Sequence, residues 1–374
     1  MNGMKYYERS KPSYAEYPVS EFMSVRTHGA KGDGVTDGTA ALQRAIDAAT
    51  ADGKILFVDA GTYCVTRTII IPSGSKLVGE SYPVIMSSGK FFASMSSPKT
   101  AVQVGKPEEV GTIEWSDMIV ATQGPQPGAV LIEFNLASHG EPSGMWDVHT
   151  RIGGFAGSHL QLADCPATPA TITTNRTRIV APTLASAISL PSASFGWASV
   201  RLYGNGAPSA SISTGKTLTP LSCIGAFMSM HVTPSASNLY MEVNWLWTAD
   251  HDLDAAYTNI TIYSGRGLFI ESGKGNIWLV GTSVEHHALY RYQLANTQSI
   301  LAGQIQPETA YYQPHPDINA PFNAVPRLND PTAKGGCKNG TNCDGLGLRV
   351  LDSQNVNIYG AGLYSFFDDY NTCE

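Results

Sequence analysis

Charge is scarce in this chain and cationic charge scarcest: Lys and Arg number 24 against 31 Asp and Glu, charged residues make up 15% of the 374, and the formal net charge is −7. A protein that grips nucleic acid carries a basic face, so nucleic acid is not an expected partner and a neutral polymer fits better. No run approaches the roughly 20 apolar residues that cross a bilayer, and no membrane partner is expected. The opening MNGMKYYERSKPSYAEY has none of the apolar centre of a signal peptide, so no export signal is read there. The glycine-rich run Lys31-Gly32-Asp33-Gly34 lacks the Walker Gly-Lys-Ser/Thr ending and the dinucleotide spacing, which leaves a structural turn rather than a phosphate cradle, and no cofactor is expected.

What is present suits many short strands joined by tight turns: 37 Gly and 22 Pro, with abundant Ser, Thr and Asn. A short strand and the glycine-rich turn precede one helix, which Asp37 is placed to N-cap and whose apolar stripe is Leu42, Ala45, Ile46 and Ala49. From Lys54 onward come KILFVDAGTYCVTRTIIIP, SKLVGE, PVIMSS, AVQVG, TIEWSDMIV and AVLIEF, each bounded by Gly, Pro, Ser or Asp. A loose repeat then reads SNLYMEV at Asn238, TNITIYS at Asn259, GNIWLVG at Asn276, QSILAGQ near Ile300 and QNVNIYG at Asn355. Coils of variable turn length with stacked turn asparagines explain that repeat, and its long interval favours coils over the hairpins of a β-sandwich. The expected fold is all-β, a right-handed parallel β-helix, with the early helix closing the strand edges of the first coil.

Residues 1–21 read as a linker-like segment, and 22–374 as a single solenoid interrupted at about 166–220 by a Ser/Thr/Ala-rich stretch with no clear period, expected to be an inserted loop. Cys64, Cys165, Cys223, Cys337, Cys343 and Cys373 allow three disulfides, of which Cys337 with Cys343 would close a short loop. With the sequons at Asn175, Asn259 and Asn339 they lean toward secretion.

The chemistry concentrates late. Glu308, in QPETAYYQP, follows Glu285, in TSVEHH, by 23 residues, about one coil, so the two carboxylates should stack roughly 5 Å apart at the backbone. Paired carboxylates cleave glycosidic bonds, one as a protonated acid at the leaving oxygen. Glu308 is the candidate acid, with Tyr311 and Tyr312 to desolvate it and offer an aromatic surface to a sugar, and Glu285 the candidate water or substrate holder. Such stacking suits retaining enzymes, whereas an inverting pair needs about 6.5–9.5 Å. Asp252 and Asp254, two to three coils earlier, are the alternatives; Glu242 and Glu271 are held in reserve. Asp250, Asp252 and Asp254 copy the start of a calcium loop, but Ala255 and Thr261 stand where its Gly and Glu belong, and His251, His286 and His287 form no zinc pattern, so no metal is expected. His286 is expected to assist by hydrogen bonding. Trp245, Trp247, Trp278, Tyr290 and Tyr292 are candidate sugar platforms, of which alternation should bury about half.

Several runs together resemble the fungal exo-β-1,3-glucanases of glycoside hydrolase family 55, in the pectin-lyase-like superfamily: VRTHGAKGDGVTDGTAALQRAID, PSGMWDVHTRIGGFAGS, CIGAFMSMHVTPSASNLYMEVNWLWTADHDLD and GNIWLVGTSVEHHALYRYQLANTQSILAGQIQPETAYYQP. The resemblance covers nearly everything except 166–220. It implies an extracellular, inverting hydrolase of β-1,3-glucan in which the position of Glu308 matches the general acid, with Pro307 where Thr is the family's residue. It also implies two β-helices side by side, of which this chain resembles the second, the missing first one supplying groups that position substrate and water. The 166–220 stretch is longer than the family implies, as an insertion or a translated intron would be. Two other classes remain open: a polysaccharide lyase, disfavoured by the low Lys and Arg content, and a non-catalytic carbohydrate-binding or structural β-helix.

Overall fold

The computed structural model describes residues 9–138, 141–164, 186–190, 195–204, 224–249, 251–252, 254, 256, 258–260, 262–311, 313, 318, 322, 324–332, 344–368 and 371–372, with backbone alone for 186–190, 195–204, 224, 259, 368 and 371–372. The chain winds between a 14-stranded and an 8-stranded sheet whose strands pair parallel with their neighbours one coil on, and among the described residues only two small strand pairs are antiparallel. The fold is the expected right-handed parallel β-helix. All six early runs read as strands are strands, from Ile55–Val58 to Ala129–Phe134.

Register stacks like on like inside the coil. Leu56, Leu77, Trp115 and Met145 form one interior ladder, all fully buried, and each such side chain contributes about 1.5–3 kcal/mol of burial. The α-helix Thr39–Ala51 lays Ala41, Leu42, Ala45, Ile46 and Ala49 against Leu56, Val58, Ile69 and Ile71, closing the first coil. Its N-cap position is Gly38 rather than Asp37, but Asp37 Oδ1 still accepts from the Thr39 N–H at 3.0 Å. Asp33 accepts from the Thr36 hydroxyl and from the N–H groups of Thr36 and Val35, bonds that pull its pKa down to about 2 and make the glycine-rich run a side-chain-closed turn.

Asparagine stacking appears where one rung passes Leu239, Ile277, Ile300 and Val356 in turn. The preceding residues, Asn238, Asn276, Ser299 and Asn355, are all left-handed (φ 52–63°). Asn276 Nδ2 donates to Asn238 Oδ1 at 2.5 Å, and Asn355 Nδ2 to Ser299 Oγ at 3.3 Å. Asn259 is not in this ladder, because Thr258–Asn259 pairs antiparallel with His251–Asp252 in a side hairpin.

A second left-handed column bends the large sheet. Asp117 and Asp147 share one level, as do Val243 and Gly281, with Gln304 on the next coil. Each such residue shifts the pleat, so that in Gly275–Glu285 the inward side chains are Ile277 and Leu279 before the corner but Thr282 and Val284 after it. Val243 is costly there, since a β-branched residue clashes in the left-handed region by about 1–2 kcal/mol and this one is 65% exposed, with little packing to offset it. Val243→Asn is expected to stabilise the fold by about 1 kcal/mol, read from thermal or urea melting.

Two segments differ from expectation. Residues 9–18 are no free linker: Arg9 pairs with Glu114 and donates to Pro142 O, Lys11 pairs with Asp117 and Asp147, and the Tyr14 hydroxyl donates to Glu114 at 2.6 Å, strapping the chain across neighbouring coils. Within the stretch expected as an inserted loop, Ser186–Leu190 and Phe195–Gly204 fill a rung in each sheet, between Ala129–Phe134 and Ile224–Val232 and between Ser143–Ile152 and Ser237–Trp247. Ser and Ala in turn-rich coils hid that rung from a search for aliphatic alternation; the remainder of 166–220 lies outside the described residues. Cys64 is a buried free thiol, and the other five cysteines, with Asn175 and Asn339, also lie outside them. Among the described residues no helix is long and apolar enough to cross a membrane.

Candidate functional site

The 23-residue interval is one coil. Gln306–Glu308 pairs with the end of Gly275–Glu285 so that Ser283 faces Gln306, Val284 faces Pro307 and Glu285 faces Glu308. Period-two alternation sends Val284 and Pro307 inward and leaves a two-by-two array of Ser283, Glu285, Gln306 and Glu308 on the outer face. Pro307 is compatible with this placement, its carbonyl accepting from the Tyr364 N–H at 3.1 Å.

The two glutamates are held differently. Glu285 is buried and accepts from Trp245 Nε1 at 2.7 Å, from Ser283 Oγ, and from Gln306 Nε2 at 3.4 Å. Glu308 is part-exposed and accepts from the same Gln306 Nε2 at 2.8 Å. Burial, then the neighbouring Glu285 carboxylate, raises the Glu308 pKa above its ordinary value, against the smaller opposing pull of Gln306. A carboxyl so placed keeps its proton to higher pH, the property a general acid needs. Gln306 and Ser283 were not singled out from sequence, although each lies two residues before a candidate glutamate and therefore on its face.

His286 is the one-residue corner between the two sheets, left-handed at φ 65°. Its Nδ1 lies 2.7 Å from Thr309 O, an acceptor, so Nδ1 carries a proton and Nε2 points toward Glu308 Oε2 at 3.6 Å. The ring stacks on Tyr311 (3.8 Å, 19°), with Phe367 edge-on to both. His286 therefore backs the carboxylates rather than facing a sugar. His287 is fully buried and neutral, because burial pushes its pKa down to about 3, with Nε2 2.6 Å from Ser229 Oγ.

The aromatic candidates separate by geometry. Trp245 and Trp247 lie on the outer face one coil before the glutamates, part-exposed and stacked on each other (4.5 Å, 18°), Trp247 in register with Glu285. Tyr311 is buried, its hydroxyl accepting from Trp247 Nε1 at 3.2 Å, so it packs behind the site; Tyr312 lies outside the described residues. Tyr290 and Tyr292 are 0% and 1% exposed and cannot meet a sugar, because their whole strand is covered on both faces. Trp278 lies before the Gly281 corner, beside Asn276, away from the carboxylates. Glu271 pairs with His231 at 2.8 Å on the other sheet, away from the pair.

Asp252 and Asp254 are anchors. Asp252 is fully buried and accepts from the Leu162 and Asp254 N–H groups at 2.9 and 3.0 Å, while Asp254 accepts from the Ala156 N–H at 2.5 Å, pinning the 153–164 loop to the 248–260 loop. Asp252→Ala orphans two backbone donors and is expected to cost at least about 2 kcal/mol in urea unfolding, with the pH profile of activity unmoved, which an acid or base would shift. One ligand atom from each of Glu285, His286 and Glu308 falls within 4.8 Å of the others, yet Glu285 already accepts three hydrogen bonds and has little left for a cation.

A profile described as "Rhamnogalacturonase A/epimerase, pectate lyase-like" matches residues 22–123. A Cochliobolus carbonum protein named "Glucan 1,3-beta-glucosidase" is 42% identical over 98% of this chain. Nearly the whole chain is similar to that fungal protein. An Arthroderma benhamiae protein, "Probable glucan endo-1,3-beta-glucosidase", is 41% identical over 98% of the chain. The chain spans 40% and 36% of the length of these two glucosidase relatives. Among solved structures, the A-module of the Azotobacter vinelandii mannuronan C-5 epimerase AlgE6 aligns at a TM-score of 0.42 and 14% identity, over 90% of this chain and 75% of that one. The resemblance of the sequence to fungal β-1,3-glucanases is borne out.

Proposed function

We propose that this chain carries the acid of a β-1,3-glucan hydrolase acting outside the cell, with Glu308 as proton donor. The observation that carries the reading is the Glu285–Glu308 register, which sets an ionisable carboxyl of raised pKa on an outer face beside a fully hydrogen-bonded carboxylate. As the glycosidic C–O bond breaks, the Glu308 proton passes to the departing oxygen. Burial, and then the negative charge of Glu285, hold that proton on Glu308 until then, and Gln306 fixes both side chains. Carboxylate oxygens of the pair lie within 4.8 Å of one another, whereas an inverting displacement needs its carboxyls about 6.5–9.5 Å apart, so Glu285 is not assigned as the base. The water attacks from the opposite face of the sugar, activated by a group other than Glu285.

Laminarin is the test substrate. Glucose released by the chain, as the α-anomer at first in proton NMR, is the expected result. Laminarin bound without any sugar released overturns the hydrolase reading in favour of a binding module, and an unsaturated ultraviolet-absorbing product overturns it in favour of a lyase.

A further inference from the structure

We propose a distal glucan subsite at Tyr82 and His149, on the outer face that carries the carboxylates; the identity of its ligand rests on the hydrolase reading above. Ser81 and Tyr82 are consecutive left-handed residues, φ 55° and 59°, in the turn before Val84–Ser87. Glycine or asparagine makes such a turn at least cost, and Tyr82 keeps its ring 42% exposed there. Strain of this kind concentrates where a side chain is held out for a ligand.

The ring is held over the sheet. Tyr82 lies 5.4 Å from the His149 ring, tilted at 52°. His149 is in register with Arg201, Arg201 with Trp245, Trp245 with Ser283, and Ser283 with Gln306. At about 4.8 Å per rung, His149 lies about 14 Å from Ser283 and about 19 Å from Gln306 along the solenoid axis, with the Trp245–Trp247 stack between. One continuous face thus runs from an exposed tyrosine, past two stacked tryptophans, to the paired glutamates. Aromatic faces at intervals suit the apolar faces of successive sugar rings in a neutral polymer. A glucan cleaved at Glu308 and lying along the axis toward the N-terminal coils reaches Tyr82 only if it is several residues long.

The subsite is tested with the Glu308→Gln chain, so that ligand is not consumed, by calorimetric titration of laminaribiose and laminariheptaose. The heptaose is expected to bind more tightly than the disaccharide. Adding Tyr82→Ala is expected to weaken heptaose binding about tenfold and leave the disaccharide unchanged, while Tyr82→Trp preserves the preference. Thermal melting of each variant separates a lost ring from a lost fold, and the tryptophan variant keeps the test open should the alanine one melt early. Equal heptaose affinity with and without the Tyr82 ring overturns the subsite, as does the absence of any length preference. No hydrolysis by the unmutated chain, with the Tyr82 effect on binding intact, overturns the catalytic role of Glu308 and leaves the subsite standing.

Discussion

Glu308→Gln is expected to lower kcat on laminarin by about 10³-fold while leaving oligosaccharide binding nearly intact, the usual scale for removing a positioned general acid. The amide keeps the Gln306 contact but has no proton of suitable acidity to give. An aryl β-glucoside whose phenolate leaves without protonation should lose far less than laminarin, which distinguishes a missing acid from a damaged site. The raised pKa also fixes two pH dependences. Activity should fall on the alkaline side as Glu308 ionises, with a midpoint above the ordinary glutamate value. A carboxyl whose folded pKa lies above its unfolded pKa contributes stability below the unfolded value and loses it as pH rises through the folded value. Glu308→Gln should therefore melt higher than the parent near pH 7, with the gap closing below about pH 4. An equally stable variant at both pH values would mean that neither burial nor the Glu285 carboxylate raises the Glu308 pKa.

The coil was legible in sequence because its signals are local and periodic. The 23-residue interval predicted the facing of Glu285 and Glu308, and the turn asparagines predicted the stacking of Asn238 on Asn276. The αL corners were not legible: Val243 and Gln304 carry no glycine signature, yet they shift the pleat and decide which aromatics face out. Hence Trp245 and Trp247 stand at the site while Trp278, on the next coil's strand, falls before the corner. Tyr292 is buried as alternation allows, packed in the main core with its hydroxyl donating to Thr282 O. The burial of Tyr290 was hidden for another reason: it clusters with Ile318, Phe322 and Leu328, and no pattern within His287–Ala295 announces a cover brought from more than 20 residues downstream. Asp252 and Asp254 look like chemistry in sequence because an acid that caps backbone N–H groups has the same letters as one that transfers a proton.

That cover rests on a buried ion pair, and breaking the pair is expected to have the largest effect on stability. Arg266 and Asp330 have fully buried side chains; Arg266 Nε donates to the Asp330 carboxylate at 2.9 and 3.1 Å, and Nη2 closes a second contact. The guanidinium also sits 4.1 Å above the Phe227 ring and donates to Phe227 O at 3.3 Å, while the Val325 N–H donates to Asp330 at 2.6 Å. One carboxylate thus ties the 325–330 turn to the small sheet, and Gln293 adds a bond to Leu328 O at 2.7 Å. Asp330→Ala leaves a buried cation without its anion and should cost about 3–5 kcal/mol in urea unfolding. Replacing both partners, Arg266→Met with Asp330→Leu, should recover most of that loss, because the penalty lies in the uncompensated charge rather than in the absent bond. Tyr311 belongs to the same apolar cluster as Leu328 and carries the His286 ring behind Glu308. The single variant should therefore also lower kcat, and the double variant should restore it together with the fold. If the double variant regains stability but not kcat, then Asp330 positions the site by a route other than holding this cover in place.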